Sequence, residues 1–234
     1  TGNGNTNPST GTATGGATAP TTPTILADGQ ITVSGSLVND KGQITANGET
    51  NLNARNGLSN QNSTLNLHHL SAKGAHLANQ HGHIAAKQIQ IASQNINNTH
   101  GALMAADGLD INTTALHNQE GQIFAGTKLA LNAANIDNSK AGLIATTGNS
   151  QIDTRQLNNQ HGQILAAQQA KIVAANLDNR SGIIEADSLN VAATTVNNSA
   201  AGAMRANQSL DLRVQNHLAS QSGKISAGKN VRIH

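Results

Sequence analysis

An all-β chain wound as a right-handed parallel β-helix, of about ten coils with roughly 20 residues each, is what this 234-residue sequence predicts. Three observations carry that expectation. One set of signs recurs every 19 to 22 residues along most of the chain, as at Leu157, Asn159, Gly162, Ile164 and Ala166 and again at Leu177, Asn179, Gly182, Ile184 and Ala186. Within each unit the apolar residues alternate, as in Ile84-x-Ala86, Ile89-x-Ile91 and Leu129-x-Leu131, which is the period of a strand. No stripe of period 3.6 runs through them, and 20 residues leave little room for a helix with its turns. A fixed period near 20 means a solenoid, because one such unit cannot bury its own apolar face. The expected hand follows the crossover rule for parallel strands.

In chain order, residues 1–24 are Thr, Gly, Asn, Ala and Pro with one Ser, carry no apolar pattern, and Pro8, Pro20 and Pro23 break any ladder. Such a stretch buries too little apolar surface to offset its ordering entropy, so a plain tether is expected, with a glycosylated Thr-rich spacer as the alternative. Residues 25–234 are the expected repeat segment. Its first apolar position holds Leu37, Leu58, Leu77, Ile96, Leu116, Ile136, Leu157, Leu177, Val196 and Leu218. Two residues later stand Asn39, Asn60, Asn79, Asn98, Asn118, Asn138, Asn159, Asn179 and Asn198, with Ser220 closing the series. A glycine follows in every repeat but the second, which has Ser63. Two residues on comes Ile44, Leu65, Ile84, Leu103, Ile123, Ile144, Ile164, Ile184, Met204 or Ile225, and two further an alanine in eight of the ten repeats.

Stacked asparagines are expected to pass an amide hydrogen bond from coil to coil, a structural ladder rather than a binding column. The glycines are expected at a corner with positive φ, so that Ser63 either strains its corner or marks a coil of different shape. Asn138–Gly142 and Asn198–Gly202 carry one residue more than the other corners. That residue should be absorbed as a bulge, leaving Ile144 and Met204 inside. The chain stops at VRIH within a strand pattern, and the expectation is a segment of a longer rod.

Composition narrows the function. The formal charge is +2, 11% of residues are charged, and Phe124 is the one aromatic among Phe, Tyr and Trp. There is no phosphate-binding basic block, and one Phe serves base stacking poorly, so no nucleic acid is expected as a partner. Cysteine is absent, which excludes disulfides and thiolate metal sites. No apolar run approaches the roughly 20 residues of a helical membrane span. The opening TGNGNTNPST lacks the basic and apolar regions of a signal peptide.

Chemistry finds little support. A glycan-cleaving site on a β-helix needs carboxylates converging in a groove. Asp137 and Asp178 share a column but lie two coils apart, with Asn158 between them, about 10 Å by coil spacing. Nothing in the spacing places an Arg or Lys beside them. An ice-binding face would need threonines in register, and they are not. His81, His100 and Glu120 stack on one edge, where two imidazoles and a carboxylate suggest a metal; a solvated edge is the plainer reading. His68 and His69 fall in the irregular second coil and support no spacing argument. No enzyme activity, no cofactor and no small-molecule substrate are expected.

LDNRSGIIEADSLNVAA and LHNQEGQIFAGTKLALNAA carry a pattern, xLxNxxGxIxAxxxLxIxA, that resembles the filamentous haemagglutinin repeat of large bacterial exoproteins secreted by the two-partner route. The resemblance covers about residues 31–233 and is specific for the repeat type. It implies a secreted stalk displayed at the surface of a Gram-negative bacterium and exported through an outer-membrane transporter partner. Adhesins, haemolysins and the sticks of contact-dependent growth-inhibition toxins belong to that family. The expected function is therefore a structural stalk projecting a binding or effector domain. The alternative is an adhesive module that itself recognises a host or neighbouring-cell surface or a glycan. A polysaccharide-degrading β-helix enzyme comes third.

One outward column remains. Residues three after the glycine should point away from the core, and they read Thr45, Asn66, Ala85, Met104, Phe124, Ala145, Leu165, Glu185, Arg205, Ser226. Glu185 and Arg205 are expected to pair across coils. Met104, Phe124 and Leu165 form a modest apolar stripe, either scattered surface residues or a docking strip.

Overall fold

A computed structural model describes residues 24–234, apart from the side chains of residues 53 and 54. The tether assigned to residues 1–24 lies outside the described residues, except that Thr24 already opens the first strand, Thr24–Ala27. The described residues form sixteen strands and no helix, joined in one continuous parallel sheet that winds upon itself as a β-solenoid. Every strand pairs in parallel with the residues one coil away, as Ile164 does with Ile144 and Ile184. Several strands continue round corners, with the ladder register shifting at the bends, so Gln163–Asp178 and Ala203–Ala219 each run through most of a coil.

Alternation along each strand sorts the side chains. One inward column holds Ile44, Leu65, Ile84, Leu103, Ile123, Ile144, Ile164, Ile184 and Met204, all 5% exposed or less. Ile144 and Met204 are therefore inside, as the register of the longer corners requires. A second inward column runs Leu52, Ala72, Ile91, Ile111, Leu131, Ile152, Ile172, Val191 and Leu212. Leu58 to Val196 form the third. Branched aliphatic side chains and alanine fill so narrow a coil, where an aromatic ring would overpack it. The neighbouring column is less uniform: Thr50 and Ser150 are buried where other coils carry Leu70, Ile89, Leu109 and Leu129.

The corner differs from expectation in a specific way. Positive φ falls on the residue before the glycine: Lys41, Asn62, His81, His100, Glu120, His161, Ser181 and Ser222, with φ between 53° and 59°. The glycine itself is selected by close approach. A Cβ on Gly82 would run into the Asn60 carbonyl oxygen one coil away and lie 2.5 Å from Asn79 Oδ1. The same collision recurs at Gly101, Gly121, Gly162 and Gly182. At the two longer corners the extra residue is taken up by consecutive left-handed residues, Lys140–Ala141 and Ala200–Ala201. Ser63 leaves its corner in the common shape: Asn62 has φ 53°. Its hydroxyl donates to Gln61 O (2.8 Å) and accepts from Gly42 N (3.1 Å).

Candidate functional site

The asparagine column is the most ordered polar feature of the rod. Asn60, Asn79, Asn98, Asn118, Asn138, Asn159, Asn179 and Asn198 are fully buried, and Asn39 at one end is 7% exposed. Each Nδ2 donates to the Oδ1 of the next coil's asparagine, from Asn39→Asn60 to Asn179→Asn198, at 2.7–2.8 Å throughout. The remaining Nδ2 proton is directed to backbone carbonyls: Asn118 Nδ2 lies 3.3 Å from Gly121 O and 3.1 Å from Leu143 O. Asn198 ends the series on Ser220 Oγ at 3.4 Å. All the amides point the same way along the axis, so each bond polarises the next. Only a side chain that donates and accepts at once can fill such a column, and its burial leaves no side open to a ligand.

One column outward stands a second set that sequence reasoning passed over. Asn97, Asp137, Asn158, Asp178 and Asn197 each accept the backbone N–H two residues on, at 3.1–3.2 Å, which closes an Asx-turn at the entry to the corner. The spacing Asx-Asn-x was the signal available in the sequence. These bonds decide what the carboxylates do. Asp137 also accepts from Gln119 Nε2 (2.6 Å) and Asn158 Nδ2 (3.0 Å). Asp178 accepts from Gln160 Nε2 (2.9 Å) and, contrary to the sequence expectation of no neighbouring cation, from Arg180, with Nη2 at 2.8 Å. The turn folds residue i+2 back over the carboxylate, a proximity that column spacing does not reveal. The hydrogen bond and then the charge of Asp178 push the Arg180 guanidinium above its ordinary range. Both acids serve the corner, and they do not converge.

On the corner edge His81 and His100 stack, ring centroids 4.7 Å apart and planes 7° from parallel, and His100 Nδ1 lies 3.4 Å from Glu120 Oε2. The three are brought together as the sequence implied. Among the described residues, however, no group of three or more His, Asp or Glu side chains has the geometry to hold a metal ion. His68 and His69 also stack, at 4.3 Å.

The outward column is assembled in the register expected, rung by rung from Thr45 to Ser226, and it is headed by Leu26, which lies 75% exposed opposite Thr45. Glu185 and Arg205 approach to 3.9 Å across adjacent coils. Met104, Phe124 and Leu165 point outward but are half-buried, because each side chain lies against its neighbours up and down the column. Where that column carries Thr45, Asn66 and Ala85, a shallow trough of about 670 Å³ opens, with Met104 and Phe124 at one end and His68 on its wall. A second trough of about 530 Å³ is lined by Gln156, Asn158, Asn176, Asp178, Thr195 and His217 together with Leu157, Leu177, Val196 and Ala219.

Fold and site together define a parallel β-solenoid whose ordered polar chemistry is turned inward, to structure. Scans of the chain against known protein families, curated proteins and solved structures found no match in any of the three.

Proposed function

We propose that this chain is a stalk segment of a large secreted, surface-displayed bacterial exoprotein, a filamentous adhesin or a contact-dependent growth-inhibition toxin, and that it carries no catalytic site. The observation that carries this reading is the unbroken buried ladder from Asn39 to Asn198. A rod needs axial continuity, and here the repeated side chains are the inward ones, while the outward columns change type from coil to coil. The repeat's resemblance to that of filamentous haemagglutinin supports the same reading, including export through an outer-membrane two-partner transporter to the surface of a Gram-negative cell.

The test is a deletion in register. Removing residues 119–159 joins Asn118 to Gln160 and keeps the Asn-x-x-Gly corner. The rod should shorten by about 10 Å, two coils at the interstrand spacing, and still fold and reach the cell surface. A stalk tolerates this; loss of folding or display counts against it. The second reading, an adhesive module for a cell surface or glycan, draws on the trough in which Gln156, Asn158, Asn176, Asp178, Thr195 and His217 stand beside Leu157, Leu177 and Val196. Specific binding of this segment in a glycan or cell-binding screen, lost on that same deletion, would favour it over the stalk.

A further inference from the structure

We propose that two copies of this chain pack side by side and antiparallel through the sheet face that carries Met104, Phe124 and Leu165. The argument is the self-complementarity of that face. Its column is not uniform: toward the N-terminus it carries the short side chains of Thr45, Asn66 and Ala85, which leave the trough of about 670 Å³. Toward the C-terminus it carries the long side chains of Leu165, Glu185 and Arg205 in consecutive rungs. One half is a groove and the other a ridge.

A two-fold axis along the strand direction, passing between Phe124 and Ala145, brings this column onto its own copy with the rod reversed. Such an interface is isologous and closes on itself. Phe124 then meets Ala145, and Met104 meets Leu165, so that large opposes small or flexible apolar side chains. Glu185 meets Ala85 and reaches His83, two residues earlier on that strand and exposed. Arg205 meets Asn66, and Ser226 meets Thr45. The ridge of one copy fills the groove of the other. No like charges are brought together along this column, because its two charged residues, Glu185 and Arg205, oppose Ala85 and Asn66 and pair with each other within each copy. Among the described residues no other element covers this face.

The face from Thr45 to Ser226 measures about 43 Å by 13 Å, roughly 560 Å² of plane per copy. That is below the ~800 Å² per partner of a standard stable interface. The dimer is therefore reversible, with Kd on the order of micromolar.

Sedimentation equilibrium of the full chain from about 1 to 200 µM, a range that brackets that Kd, is expected to show a monomer–dimer equilibrium. Ala145→Glu, an outward change that drives a carboxylate against the ring of the other copy's Phe124, should raise Kd at least tenfold with the melting temperature unchanged. Leu165→Glu should do the same. Because the chain has no cysteine, a nitroxide on Ser226→Cys reports the arrangement: antiparallel packing separates the two labels by about 43 Å, parallel packing by roughly 15 Å. A chain that stays monomeric throughout overturns the proposal. So does a dimer indifferent to both substitutions, the short label distance, growth into higher oligomers, or dimerisation that appears only once residues 1–23 are removed, which would make that segment the occupant.

Discussion

Replacing Asn118 by alanine takes one link out of the middle of the ladder. Three hydrogen bonds go, two of them fully buried: the donation to Asn138 Oδ1 (2.7 Å), the acceptance from Asn98 Nδ2 (2.7 Å), and the part-buried donation to Leu143 O (3.1 Å). At about 1 kcal/mol net each, that is ~3 kcal/mol. Asn138 Oδ1 is also left without its donor in a site water does not reach, which adds about 1 kcal/mol or more. Asn98 suffers less, because its amide keeps Gly101 O and Gln122 O at 3.2 and 3.1 Å. The expected loss is about 4 kcal/mol. Urea denaturation followed by far-ultraviolet circular dichroism measures it, and hydrogen exchange should show protection falling first in the coils on either side, as a nearest-neighbour solenoid requires. Asn118→Asp sharpens the test. Burial raises a carboxyl's folded pKa above its unfolded value. The variant should therefore be least perturbed at acid pH and lose stability as pH rises through that raised pKa, the reverse of a salt-bridged aspartate. A loss below about 1 kcal/mol for Asn118→Ala, with exchange unchanged, would mean the ladder is ornamental rather than structural.

Three further outcomes follow from the corner and the two faces of the strand. Ala201→Gly relieves a non-glycine residue at φ 64° and should stabilise by about 0.5–1 kcal/mol, the left-handed penalty less glycine's extra chain entropy; a lower melting temperature would contradict the strain argument. Gly121→Ala drives a Cβ into the Asn98 carbonyl oxygen and to 2.6 Å from Asn118 Oδ1, and should cost about 2–3 kcal/mol in a chemical melt; a neutral result would contradict the close approach of the neighbouring coil. Ile123→Ser, at a fully buried site, should cost about 3–5 kcal/mol. Its half-buried outward neighbour changed as Phe124→Ser should cost about 1 kcal/mol, and the opposite order would invert the face assignment.

The sequence by itself determined the winding. A period near 20, alternation at period two, and one asparagine per repeat left little choice of architecture, since alternation sends Ile123 inward and Phe124 outward whatever else happens. The ladder was legible for the same reason: equal spacing along the chain becomes vertical alignment once coils stack. The corner was not. Asn, x, x and Gly mark where the chain turns, but which residue takes the left-handed φ depends on how closely the next coil's carbonyl approaches. Only the stacked structure shows that Gly82 must yield to Asn60 O while His81 bends at φ 53°. The acids were misjudged on the same ground. Asp137 and Asp178 looked isolated because column spacing counts coils and ignores what a turn folds back, namely Gln119, Gln160 and Arg180. Columns are one-dimensional and a repeating sequence encodes them directly. Contacts made across a turn, or between one coil's backbone and the next coil's side chains, depend on distances that exist only after the chain has closed on itself.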